Sequence, residues 1–96
     1  MGIINNINKV FDHRIRLGMM SVLMVNEYAD FKMLKELLEV TDGNLASHAK
    51  ALEKADYIQV EKSFIGRKPN TKYRATKEGV LAFNRHIKAL ETLLRK

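Results

Sequence analysis

The hydrophobic periodicity predicts a mainly α protein with one small β-hairpin, an α+β fold, on three observations. Apolar residues recur at helical spacing through the first half of the chain, the period switches to two from Tyr57, and helical spacing returns after Thr76. With 96 residues, 46% of them hydrophobic and 29% charged, the chain is long enough for one modest core and is expected to be a single domain, 1–96.

In chain order, residues 1–11 carry Ile3, Ile4, Ile7, Val10 and Phe11 among asparagines, which predicts a helical extension frayed at its start whose apolar side chains ask for burial. Asp12 is placed to cap a longer helix over about 13–26. Ile15, Met19 and Val22 form one stripe there and Leu17, Met20, Leu23 and Met24 an adjoining one, so one stripe is expected in the core and the other in a subunit contact. Gly18, costing about 1 kcal/mol relative to alanine inside a helix, implies close helix packing.

A second helix over about 31–39 places Phe31, Leu34, Leu37 and Leu38 on one side. Thr41-Asp42-Gly43 reads as a tight turn, with Gly43 taking backbone angles other residues resist and Thr41 or Asp42 capping the next helix. In that helix Leu45, Ala49 and Leu52 face inward. Asn44, Ser47, Lys50, Ala51 and Lys54 point the other way, a small polar and cationic face able to approach a groove. Residues 31–55 thus match a helix-turn-helix.

Over 57–75, Ile58, Val60 and Phe64 alternate with Gln59, Glu61 and Ser63, and Tyr73 and Ala75 with Lys72 and Arg74, predicting two strands joined by an exposed loop at 65–71. Thr76 then caps a last helix, 76–95, with Glu78 favourably placed in its first turn. Val80, Phe83, Ile87, Leu90 and Leu94 follow the alternating three and four spacing of a coiled-coil seam, flanked by Leu81 and Leu93. A domain this small cannot readily cover that seam and both stripes of the first long helix, so a homodimer contact is expected there. The sum is a winged helix-turn-helix: a three-helix core plus a wing and a long C-terminal helix.

The net charge is +6, and residues 62–77 hold all of the excess: Lys62, Arg67, Lys68, Lys72, Arg74 and Lys77, with no Asp or Glu. The other residues carry 11 basic and 11 acidic groups. An excess centred on one hairpin is the footprint of an anion-binding surface, whereas a merely soluble basic protein spreads it. Zero cysteine excludes disulfides and thiolate metal sites, and the start lacks the apolar run of a signal peptide or membrane span, so a cytoplasmic location and no membrane partner are expected. His13, His48 and His86 are scattered, with no second ligand at metal spacing, and no nucleophile–base pair or phosphate loop stands out. Neither a metal, a cofactor nor an enzyme is indicated. Met19, Met20 and Met24 could line an effector pocket, but core filling is their commoner use, so a small-molecule effector is not indicated either.

At this point the residues resemble the MarR and ArsR-like winged-helix transcription regulators, specifically the small single-domain group, over about 9–94. The likeness rests on Phe11-Asp12-His13-Arg14-Ile15-Arg16-Leu17, Leu34-Lys35-Glu36-Leu37-Leu38 and Asp42-Gly43-Asn44-Leu45-Ala46-Ser47-His48. It continues through Leu52-Glu53-Lys54-Ala55-Asp56-Tyr57-Ile58 and Tyr73-Arg74-Ala75-Thr76-Lys77-Glu78-Gly79. Asp56 stands where that family usually has glycine; aspartate tolerates left-handed backbone, so the turn is expected to survive.

The resemblance implies a recognition helix in the major groove of double-stranded DNA and a wing on the backbone or in the minor groove. Asn44 would pair with an adenine edge or a phosphate, with Ser47 and His48 as short-range donors. Lys50 and Lys54 suit phosphates, and Arg67, Lys68 and Lys72 lie in the basic wing. The rival readings are a winged helix used as a protein-interaction module and a small-molecule-sensing regulator with an apolar pocket between its dimer helices.

Overall fold

The computed structural model describes residues 3–95, apart from the side chains of Ile3 and Asn5; Met1, Gly2 and Lys96, which the expected 1–96 domain and 1–11 extension include, lie outside the described residues. Two 3-10 turns, Ile3–Asn6 and Lys9–Phe11, precede helix α1 (Arg14–Val25) and a short strand β1 (Ala29–Asp30). Helices α2 (Phe31–Leu38) and α3 (Asp42–Lys54), strands β2 (Ile58–Ile65) and β3 (Lys68–Ala75), and helix α4 (Lys77–Leu94) follow. The strands form an antiparallel sheet in the order β1-β3-β2. This is the expected α+β arrangement of helix pair, hairpin and long terminal helix. Among the described residues no helix is long and apolar enough to cross a membrane.

The extension is not the frayed helix expected. Asn8 fixes it: its side-chain oxygen accepts from the Val10 amide at 2.9 Å, its Nδ2 donates to the Tyr57 hydroxyl at 2.8 Å, and its backbone amide donates to His86 Nδ1 at 3.0 Å. Those bonds deliver Phe11 into the centre of the molecule. The fully buried Phe11 ring stacks on Tyr57 with centroids 5.2 Å apart and meets Phe83 edge-on, also at 5.2 Å.

Helix α1 is capped by His13 rather than Asp12. The His13 backbone is extended and its Nδ1 accepts from the Ile15 amide at 3.1 Å, while Asp12 sits one residue too early, its own amide tied to the Lys9 carbonyl at 3.0 Å. Both stripes of α1 contribute to the chain's own core: Met20 and Leu23 are buried, and Leu17 and Met24 lie half-buried against it. Gly18 does mark close packing, since a β-carbon there would come within 2.7 Å of Leu38 Cδ2.

The turn between α2 and α3 starts earlier than expected. Glu39, not Gly43, takes the left-handed conformation (φ 52°), and the Val40 amide reaches back to the Lys35 carbonyl at 3.4 Å to close α2. Thr41 then caps α3, accepting from the Asn44 amide at 3.2 Å, which leaves Gly43 inside the first helical turn. Asp56 does accept left-handed backbone (φ 64°). With it the Tyr57 amide bonds to the Leu52 carbonyl at 3.0 Å and the Asp56 amide to that of Glu53 at 2.9 Å, a Schellman closure of α3.

The wing is longer and its loop shorter than expected. Pairing runs without a break from Ile58↔Ala75 to Ile65↔Lys68, so only Gly66 and Arg67 form the turn, and Gly66 (φ 64°) supplies the positive φ at its first position. Pro69, Asn70 and Thr71, expected in the loop, belong to β3. Proline is tolerated because Ile65↔Lys68 is the hydrogen-bonded pair that closes a two-residue hairpin, which makes the next pair, Phe64↔Pro69, one that exchanges no ladder bonds.

One node joins these parts. The Thr76 amide donates to the Tyr57 carbonyl at 3.0 Å, the Thr76 hydroxyl donates to the Asp56 carbonyl at 2.7 Å, and the same hydroxyl oxygen accepts from the Gly79 amide at 2.9 Å to cap α4. Gly79 is packed so tightly on this turn that a β-carbon would overlap the Tyr57 carbonyl oxygen. A backbone group cannot swing aside as a leucine methyl can. Gly79→Ala should therefore cost about 3 kcal/mol in urea unfolding. Gly18→Ala, where only Leu38 must move and helix propensity improves, should cost less than about 1 kcal/mol.

Candidate nucleic-acid interface

Helix α3 is docked by the stripe its sequence predicts, with Leu45 and Leu52 fully buried and Ala49 nearly so. Asn44, Ser47, Lys50 and Lys54 are exposed on the other side. An ion pair between Lys35 Nζ and Asp42 Oδ1, 2.7 Å, ties α2 to the first turn of α3; with both side chains well exposed it orients more than it stabilises.

His48 stands apart from this polar face. Its ring lies 3.9 Å from that of His13, centroid to centroid, and its Nδ1 accepts from Arg16 Nε at 3.0 Å, so the side chain leans on α1 with only Nε2 left for another partner. Burial, and then the charges of His13 and Arg16, hold its pKa below the ordinary 6.5.

In the wing, Arg67 occupies the turn and Lys68 opens β3, both exposed. Lys72 is elsewhere. Its ammonium sits 4.4 Å from the centre of the Tyr28 ring, at the base of the hairpin. The open groove around it, about 750 Å³, is lined by Glu53, Asp56 and Glu61 as well as by Arg74 and Tyr73. Three carboxylates make that groove a poor phosphate site, so Lys72 is set apart from Arg67 and Lys68 by its surroundings. Burial, with the Glu53 carboxylate, raises the Tyr73 hydroxyl above its ordinary range.

The seam on α4 divides. Phe83, only 6% exposed, is spent on the chain's own core against Phe11, while Leu94 is 87% exposed and Val80, Ile87 and Leu90 are half-buried. Phe83 is therefore corrected from seam residue to core residue. His86, 3% exposed, lies in the same layer, with burial holding its pKa below the ordinary value against the opposing pull of Asp12.

A side chain that sequence reasoning placed differently is Phe64, taken as the inward-facing partner of Ile58 and Val60 and in fact 72% exposed. Ile65, assigned to the loop, is 65% exposed beside it. Alternation does put Phe64 on the core-facing side of β2, but the core ends before the strand does.

Comparison with known proteins agrees with this geometry. Residues 15–94 match the family model described as winged helix DNA-binding domain. An uncharacterized protein of Methanocaldococcus jannaschii is 37% identical over 79 residues, covering 82% of this chain and 86% of that one. The solved structure of a transcriptional regulator homologue from Pyrococcus horikoshii superposes with a TM-score of 0.85 at 27% identity, covering 92% of this chain and 87% of that one. The YusO protein of Bacillus subtilis shares the fold at a TM-score of 0.81 and 16% identity, over 97% of this chain and 65% of its own.

The two depressed histidines give a pH dependence of known sign. A folded pKa below the unfolded 6.5 means that the unfolded chain binds more protons as the pH drops, so their contribution to stability is present above pH 6.5 and lost on passing down through the folded values. The thermal midpoint should fall between pH 7.5 and 5.5. The double substitution His48→Asn, His86→Asn, which keeps an acceptor near each Nδ1 but cannot titrate, should flatten that dependence.

Proposed function

Because the chain belongs to the winged helix DNA-binding domain family, we propose that it is a transcriptional regulator that binds specific double-stranded DNA sites as a homodimer, α3 in the major groove and the wing on the backbone or in the minor groove. The observation that carries this reading is the pairing of two surfaces. The small polar face of Asn44 and Ser47, bordered by Lys50 and Lys54, is free of bulky apolar groups, and the stretch from Lys62 to Lys77 that follows holds the whole net charge of the chain, with Arg67 and Lys68 at the exposed end of the hairpin. Short amide and hydroxyl side chains suit base edges, whereas flexible cations suit phosphates. Asn44 and Ser47 supply discrimination, with Lys50, Lys54, Arg67 and Lys68 supplying affinity that depends little on sequence. His48, through Nε2, makes at most one contact at the margin of the helix.

Selection of bound duplexes from a random pool, read at two salt concentrations, tests this directly. A two-fold symmetric site with half-sites about one helical turn apart is expected. Arg67→Ala with Lys68→Ala should weaken binding to every duplex and reduce the salt slope by about one to two units. Asn44→Ala should cost about 1–3 kcal/mol on the selected site and little on random DNA. An unchanged slope in the wing variant would remove the role given to the wing.

The homodimer draws support from α4, where Leu81 and Leu94 are exposed large apolar side chains next to the half-buried Val80, Ile87 and Leu90. Leu90→Glu with Leu94→Glu should shift sedimentation from dimer to monomer and weaken binding to a two-half-site duplex far more than to a single half-site. A wild-type chain that sediments as a monomer at micromolar concentration would overturn this part of the reading.

A further inference from the structure

The far end of the wing is more than a carrier of charge. Phe64 and Ile65 are among the exposed large apolar side chains, 72% and 65%, and neither belongs to the core or to the residues packed against it. They precede a turn of only Gly66 and Arg67. Phe64 faces Pro69 across the ladder in a pair without hydrogen bonds, the kind that brings two side chains closest on one face. Phe64 and Pro69 thus share one face near the end of a narrow ribbon. Lys62 shares that face, Arg67 lies in the adjoining turn and Lys68 opens β3 beside Pro69 on the other face, with no carboxylate from Lys62 to Lys77.

An aromatic ring fenced by cations is complementary to an apolar layer fenced by anions. In duplex DNA the base stack is that layer, and the minor groove, about 6 Å wide, exposes it between two rows of phosphates. A ring can be driven between two base pairs there while the flanking cations hold the phosphates, and the partial unstacking kinks the duplex away from the wedge. Interfacial membrane anchors, by contrast, rely on a broad apolar face along a whole helix, which two side chains at a hairpin tip do not offer.

We propose that Phe64, paired across the ladder with Pro69, is an apolar wedge that enters the minor groove beside the recognition-helix contact, partly unstacks one base step and bends the bound DNA. This rests on the reading of the chain as a double-stranded DNA binder. It implies a preference for an easily unstacked pyrimidine–purine step at the position under the wing, specificity that Asn44 and Ser47 do not provide.

The test uses the full chain and a duplex from the selected pool, with 2-aminopurine substituted at successive positions and a donor–acceptor dye pair on the duplex ends. Wild type should raise the aminopurine fluorescence several-fold at one step per half-site and shorten the end-to-end distance. Phe64→Ala, at an exposed position that should leave the unfolding midpoint unchanged, should abolish both signals, lose roughly tenfold in affinity and keep the salt slope. Phe64→Leu should keep part of each. Arg67→Ala with Lys68→Ala should lower the slope and still show the fluorescence rise at saturating protein. Tight binding by wild type with no fluorescence rise at any step, or a rise that persists in Phe64→Ala, would overturn the wedge and leave the DNA reading standing. Failure to bind any duplex in the same titration would overturn both. Binding to anionic phosphatidylserine vesicles that is lost in Phe64→Ala, with no unstacking of bound DNA, would reassign the tip to a membrane surface.

Discussion

The tight seating of Gly79 on the Tyr57 carbonyl, which leaves no room for a β-carbon, is where the geometry of the proposed interface is set. The chain passes this point twice. On the first pass it leaves α3 through the left-handed Asp56 and turns into β2; on the second it leaves β3 and starts α4 at Thr76. Two short hydrogen bonds and one missing β-carbon lock the two passes together. Helix α3, both wing strands and the terminal helix therefore share one origin, and any displacement there tilts all of them relative to each other. Phe11 seals the node from the other side by stacking on the Tyr57 ring, which explains why a segment ahead of the first helix is built into the centre of the fold.

Much of this architecture is legible in the residue order because each element satisfies its own local rule. Leu45, Ala49 and Leu52 dock α3 as their spacing demands, Thr76 and Asp56 do what their side chains permit, and the change of period at Tyr57 marks the first strand of the wing. What escapes is decided by distant partners. His13 displaces Asp12 as a cap because its ring is held against His48 on another helix. Glu39 takes the left-handed position that Gly43 was the better candidate for, since α2 and α3 must meet at a set angle and the chain bends where the packing needs it. The two-residue strand Ala29–Asp30 forms only because β3 is already there to pair with it.

The candidate site follows the same division. Which residues of α3 face outward is a matter of helical geometry and can be read directly. How far a basic or aromatic side chain is free to reach is not, because it depends on what lies next to it. Lys72 counts in the charge sum but is drawn to Tyr28, His48 belongs to the recognition helix but leans on α1, and Phe83 fits a seam but fills the core. Phe64 shows the converse error: an inward-facing position has no inside once the strand outruns the domain.

That overhang has a mechanical consequence. The sheet is three strands wide only at Tyr73 and Lys72, opposite β1; beyond them β2 and β3 pair with each other alone, over the four register positions from Lys62↔Thr71 outwards. The molecule is correspondingly long, 53 × 25 × 21 Å. A two-stranded ribbon without a packed face is only marginally rigid and twists easily. Helix α3 and the wing therefore differ in compliance: α3 is packed against α1, α2 and β2, whereas the outer wing is held by its own ladder alone. In the proposed complex the helix therefore keeps a fixed pose while the ribbon adapts to the duplex that its own Phe64 distorts.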